Sequence, residues 1–378
     1  MKKIFTALFA ITSFSVLADN PSVTIDGLKY QILDNEYAKV SLVEEIKGDI
    51  VIKEYVDIDG KTYPVAVIGD VIGEEGQKIV LPSTAKKIWG CFGSATISVL
   101  PEGIDEIWED NFRDANLPEE INLPSIERLG PRVFMEAKGI KRVNIGNKLY
   151  ALGADVFTGT EISEINFADR VQQAGDKFIS NFAFGFMDGI KELKLPEWDG
   201  LVYGDCFAHE CENLERIVFP DVATIKYGYN KYYANITLMG PSVPVYGYFF
   251  RDCPKLKEIV CLGETPIEIT NIDNFKEKNI WIYNTAEEFT FMDNMDGCVL
   301  KVPAGSEALY RAHPVWGRFQ TILGFENGDY NLVSINSVKA DENSEPVYYN
   351  LQGIQVKEPV KGQIYIRKAG AETTKVIM

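Results

Sequence analysis

The chain repeats itself, and that repetition limits its folds more than any other feature. The segments Ile79–Pro82, Val99–Pro101, Ile121–Pro124, Val143–Gly146, Ile165–Ala168, Leu193–Pro196 and Ile217–Pro220 share an apolar, any, apolar, breaker shape. Each reads as a short strand that runs into a turn. Ten or eleven residues after the breaker stands a phenylalanine, at Phe92, Phe112, Phe134, Phe157, Phe178 and Phe207, with spacings of 20, 22, 23, 21 and 29. A further apolar residue precedes it by four or five positions, as in Ile88, Ile107, Leu129 and Leu152. The segments Leu129–Phe134 and Leu152–Phe157 match position for position. One such unit cannot bury its apolar side alone, and only stacking on its neighbours removes that side from water. The expected fold is therefore mainly β: a solenoid in which the six phenylalanines form one buried ladder.

A stack grows in one dimension, so 378 residues need not divide into two or three compact domains. Hydrophobic residues make up 46% and charged residues 25%, values of a chain that builds a core. The net charge of −17, with no dense Lys/Arg patch, excludes a nucleic-acid binder. The interval from Phe207 to Phe250 is 43, close to two periods. Residues 221–241 accordingly read as a degenerate repeat in which Tyr229 or Tyr232 replaces the corner phenylalanine. The rival is a 20-residue loop insertion.

The ends differ from the array. Residues 1–18 carry Lys2 and Lys3, an apolar run of about 14 residues and a Val16-Leu17-Ala18 cleavage pattern, so they read as a secretory signal peptide. Without a later apolar stretch of about 20 residues, the mature chain is expected to be exported and to lack a transmembrane segment. Residues 19–65 alternate as strands with Asp26-Gly27 and Asp59-Gly60 turns and read as an N-terminal β cap. The solenoid is assigned to 66–325, with a closing unit at 299–325 in which Ser306 caps a short helix through His313. From residue 326 to 378 the pattern changes, and Val347–Gly353 and Gly362–Arg367 read as a hairpin of a small C-terminal β module.

The residues that carry chemistry are few. Six cysteines, at positions 91, 206, 211, 253, 261 and 298, fit buried apolar side chains, although export would permit disulfides. Cys206, His209, Cys211 and Cys253 hold enough donors for zinc, but the repeat pattern already accounts for three of them, and a Cys-His nucleophile lacks an orienting group. No metal or cofactor is expected. Paired acids at Glu109-Asp110, Glu119-Glu120 and Glu287-Glu288 leave a glycan-processing enzyme as the alternative, against a solvated acidic face. What remains is a binding surface. Tyr227, Tyr229, Tyr232, Tyr233, Tyr246 and Tyr248 concentrate large, rigid, polar-tipped contact area in an interval that breaks the period, and they are the candidate partner-binding residues. Asn235, Met239, Pro241 and Pro244 lie in the same stretch.

The units Cys206–Ile217 and Phe249–Ile259 resemble the BspA-like leucine-rich repeat of bacterial surface proteins, whose core runs Ile-x-x-Ile-Gly-x-x-Ala-Phe-x-x-Cys-x-x-Leu-x-x-Ile. The entry strand Asp59–Gly69 and the closing stretch Leu300–Tyr310 with Trp316 and Phe319 are similar to that family too, so the resemblance spans about residues 59–323. The chain departs from it where the alanine before the phenylalanine is missing and where only Cys211 and Cys253 take the motif's cysteine. The resemblance implies a leucine-rich repeat solenoid and non-enzymatic binding or adhesion at a cell surface; the chain is expected to be a monomer that binds a host or bacterial surface protein or glycan. The tail, with Tyr349-Asn-Leu-Gln-Gly353 and a final Lys375-Val-Ile, resembles the C-terminal module of exported Bacteroidetes proteins. In some relatives such a module directs export or attachment; a structural cap is the other reading.

Overall fold

Each repeat contributes a strand to a long first row, turns a corner around an aromatic ring, and contributes a second strand to an outer row. In the computed structural model, the described residues are 20–33, 36–169, 177–198, 200–204, 206–227, 248–271, 290–292, 295–326, 328–333, 347–350, 353–357, 359–369 and 372–377. The first row is part of a 13-stranded sheet. Its strands, such as Lys87–Ile88, Glu106–Ile107, Arg128–Leu129 and Ala151–Leu152, are parallel and only two residues long. Their register aligns Ile68, Ile88, Ile107, Leu129, Leu152, Ile179 and Tyr203, one inward side chain per repeat, and all of them are buried. The outer row is built in three sections, among them Glu120–Leu123, Arg142–Ile145 and Glu164–Phe167 in the middle and Glu192–Lys194, Arg216–Phe219 and Glu258–Cys261 further along.

At the corner, Phe92, Phe112, Phe134, Phe157 and Phe184 stack with centroid separations of 5.0, 5.6, 5.8 and 5.9 Å and ring planes within 25°. The chain must turn sharply on both sides of each ring. It does so with left-handed residues two positions before and after it, at Asp110 and Asp114 around Phe112 and at Arg132 and Glu136 around Phe134. Such backbone is uncommon outside glycine, and aspartate adopts it more readily than most residues.

The ladder departs from expectation at two places. Phe178 is not a corner residue: it lies in the first row, in register with Ala151 and Val202, where side chains point outward, and it is only half-buried. Phe184 takes the corner, because the connection after Glu164–Phe167 is longer than in earlier repeats. In the next repeat the register places Ala208, not Phe207, opposite Phe184 and Phe250. Phe207 fills the corner from the adjacent position, edge-on to Phe184 at 78°.

The long interval resolves as an insertion. The strand Ala208–His209 pairs directly with Tyr248–Arg251, and Arg216–Phe219 pairs directly with Glu258–Cys261. No repeat lies between them, so the degenerate repeat at 221–241 is replaced by the loop insertion. Residues 228–247 connect Thr224–Tyr227 to Tyr248–Arg251 within one turn of the solenoid.

Both edges of the stack are covered. Ser22–Ile25 and Leu28–Leu33 add antiparallel strands to Tyr37–Leu42 and join through Asp26 and Gly27, both at positive φ. An added antiparallel pair removes an open apolar end from water. At the other end Tyr310, Trp316 and Phe319 are buried; Trp316 donates from its indole to the Ile267 carbonyl at 2.8 Å, and the Tyr310 hydroxyl donates to the Gly263 carbonyl at 2.9 Å. The expected helix is Glu307–Ala312, but Ser306 itself has helical backbone and makes no side-chain cap, so it does not play the predicted role. Beyond it, Thr321–Glu326 and Asp329–Val333 close the outer row, where Phe325 and Tyr330 cover Val218 and Val260. The tail forms a separate four-stranded sheet in which Val347–Tyr349 pairs antiparallel with Ile364–Ala369.

Candidate recognition surface

The connection between the first row and the corner is four residues in two successive repeats, 180–183 and 204–207. In the following repeat the same connection is residues 228–247, and in the one after it, between Glu268–Asn271 and Thr290–Met292, it is residues 272–289. The register is unbroken around both, with Tyr203 beside Tyr227 beside Asn271 in the first row and Phe250 beside Met292 at the corner. The two insertions thus join the stack at the same corner of consecutive turns.

Of the predicted tyrosines, Tyr227 closes one strand and Tyr248 opens the next, so the structure sets them at the two roots of the first insertion. Tyr229, Tyr232, Tyr233 and Tyr246 lie outside the described residues, as does most of the stretch that carries them. The broken period marked this region, whereas the second insertion was missed, although Phe275, Trp281, Tyr283 and Phe289 give residues 272–289 a comparable run of aromatics.

Beside the roots of the insertions lies a cavity of about 620 Å³ lined by Asp188, Glu210, Glu212, Asp252 and Asp296, with Arg251 as its cationic group. Acidic side chains dominate it. Arg251 Nε reaches Asp252 Oδ2 at 3.1 Å. His209 packs between Phe182 and Phe186, with centroids 5.4 and 5.3 Å away, and its Nε2 stands 2.9 Å from Glu210 Oε1. Burial holds the imidazole below its ordinary pKa.

The sulfur ligands considered with His209 do not join it. Cys211 is buried, bonds the Phe184 carbonyl at 3.0 Å and accepts a hydrogen bond from the Cys253 thiol, which pushes Cys253 up. All six cysteines are free thiols; Cys206, Cys261 and Cys298 are buried, and burial pushes Cys298 up to about 12. The paired acids do not face one another across a cleft either. Asp110 accepts from Arg132 Nε at 2.8 Å, and Glu120 accepts from Arg142 at 2.8 Å, each partner coming from the next repeat. Glu287 and Glu288 lie outside the described residues.

The outer row carries a second regular surface that the sequence reading passed over. Asn122, Asn144 and Asn166 stand in register, and each amide donates to the preceding one at 2.7 and 2.9 Å. Arg142 bridges Glu120 and Glu164 beside them. The residue after the inward Ile121, Val143 and Ile165 was the signal available, since it reads Asn in three successive units.

Parallel two-residue strands, a turn per 20 to 27 residues from Phe92 to Ala208 and an internal aromatic ladder define a leucine-rich repeat solenoid. The chain belongs to the BspA type leucine rich repeat family, whose region matches residues 75–181 and 176–276 in 6 copies, more than half of the chain. Solved structures similar to it include a leucine rich cell surface protein from Faecalibacterium prausnitzii A2-165, with 12% identity, 68% of this chain and 95% of that chain covered, and a TM-score of 0.28. The pneumococcal vaccine antigen PcpA gives 13% identity, 80% and 98% coverage and a TM-score of 0.29. A leucine-rich repeat protein from Bacteroides ovatus ATCC 8483 gives 14%, 80% and 99%, and 0.25. No match was found among curated proteins. No helix among the described residues is long and apolar enough to cross a membrane.

Proposed function

We propose that the protein is a non-enzymatic binding or adhesion protein that works outside the cell, at its surface, as a monomer, and that it recognises a protein or glycan partner through the corner that carries the two insertions. The observation that carries this is their coincidence in consecutive turns. A repeat array accepts insertions in any loop, and a rigid stack holds two at one place side by side while their sequences stay free to vary. The six tyrosines Tyr227, Tyr229, Tyr232, Tyr233, Tyr246 and Tyr248 belong to the first insertion and its roots, and tyrosine supplies contact area at low entropic cost with a hydroxyl for polar partners. The N-terminal 18 residues fit an export signal, and the C-terminal sheet is either an attachment module or a cap. The glycan-processing alternative loses support because the carboxylates of Asp110 and Glu120 are neutralised by arginines of neighbouring repeats.

The test is an array of glycans and extracellular-matrix proteins probed with the mature protein, followed by the Tyr232→Ala, Tyr233→Ala double variant on whatever binds. The expected loss is about tenfold, or about 1.4 kcal/mol, with an unchanged circular dichroism spectrum. Full binding by a folded double variant removes these tyrosines from the site, and turnover of a polysaccharide by the purified protein refutes the non-enzymatic reading.

A further inference from the structure

We propose that His209, Glu210 and Asp252 form a binding site for a divalent transition-metal ion of the zinc class, at the foot of the two insertions. The solenoid register makes the juxtaposition: His209 pairs with Arg251 in adjacent parallel strands, which places Glu210 beside Asp252 one residue later. Glu210 donates its backbone N–H to the Arg251 carbonyl at 3.0 Å, which fixes that alignment. One ligand atom from each of His209, Glu210 and Asp252 lies within 4.8 Å of the others. Ligand atoms around tetrahedral zinc stand roughly 3.3 Å apart, given metal–ligand bonds of about 2.0–2.2 Å, so closure requires only side-chain movement. The two carboxylates have that freedom, since Glu210 and Asp252 are each 45% exposed, whereas the histidine is held between two rings and only 13% exposed.

The donor set fits the ion. One imidazole and two carboxylates are the mixed ligands that zinc and neighbouring divalent metals accept, and they leave a fourth position open. Nε2 is the ring nitrogen of His209 that faces the carboxylates, 2.9 Å from Glu210 Oε1, whereas Nδ1 is buried. Asp188, Glu212 and Asp296 around the same cavity add negative potential. Arg251 is the competitor, because it neutralises Asp252 when no ion is bound. The thiols of Cys211 and Cys253 bond each other and the Phe184 carbonyl and are not among the ligands.

The proposal is tested with tag-free mature protein, stripped with chelator and titrated calorimetrically with zinc chloride. One ion per chain is expected, and Asp252→Asn and Glu210→Gln should each weaken binding tenfold or more with an unchanged circular dichroism spectrum. His209→Gln should abolish it. Cobalt substitution reads the ligands directly: a visible spectrum without intense thiolate charge-transfer bands supports the nitrogen and oxygen set. The site is refuted if the stripped wild-type protein takes up no zinc at a hundred micromolar, if both carboxamide variants bind as tightly as wild type, or if cobalt reports thiolate ligands.

Discussion

Phe134 lies between Phe112 and Phe157, with ring centroids 5.6 and 5.8 Å away, and is fully buried, so its removal opens a cavity toward both neighbours. Phe134→Ala should cost about 3–5 kcal/mol, and Phe184→Ala a similar amount, in urea unfolding. Phe178→Ala should cost well under half as much, because that ring is half-buried in the outward row; equal costs for Phe178 and Phe184 would mean that the register is wrong. Asp155 is a different kind of probe. It stands in the left-handed position before Phe157, accepts from the Thr158 hydroxyl at 3.2 Å, and burial raises its carboxyl pKa from 3.8 to about 6. The folded state therefore holds this proton more tightly than the unfolded chain does. Its contribution to stability is full below about 4, fades as the pH rises toward about 6, and is gone at neutral pH, where a partly desolvated charge remains. Asp155→Asn removes that charge and suits the same backbone. It should raise stability at pH 7.5 by roughly 1–3 kcal/mol and have little effect at pH 3.5, as read from melting curves at the two pH values.

At the level of elements, neighbouring repeats approach until their backbones touch. A Cβ on Gly153 would stand 2.3 Å from the Gly130 carbonyl carbon and from the Pro131 nitrogen, backbone atoms of the preceding repeat that cannot move aside. Gly153→Ala should therefore destabilise by about 1–3 kcal/mol, visible in thermal unfolding, and an unchanged melting temperature would show that the repeats are further apart. Inward strand positions were legible in the sequence, since Ile88, Ile107, Leu129 and Leu152 are the first-row side chains that align and bury. The corner was legible only while the period held. From Phe157 onward the spacing to the next corner grows to 27, and a fixed offset then selects Phe178, which is one strand too early. Spacing cannot tell which of two phenylalanines faces inward; parallel pairing decides that, through the neighbour each one must stack upon.

For the whole molecule, the decisive experiment exchanges residues 228–247 for a four-residue connection such as Ser180–Ala183. The stack continues past this insertion without a break in register, so the protein should fold and melt as before or slightly higher, since closing a loop five times shorter saves about 1.4 kcal/mol. Partner binding should disappear on the array. A chain that loses its fold would show that the insertion belongs to the core, and retained binding would move the site elsewhere, the asparagine ladder of the outer row being the next surface to test. The sequence by itself determined that the chain is a stack: its period, its inward apolar positions and the corner aromatics from Phe92 to Phe157 are local and repeat in one dimension, where each unit meets only copies like itself. It could not decide between an extra repeat and an insertion, because both add the same number of residues. It could not set Glu210 beside Asp252 either, since they are 42 residues apart. The tertiary structure decided both by the pairing of one strand with the next, which brings distant residues side by side and leaves no place in the ladder for an extra repeat.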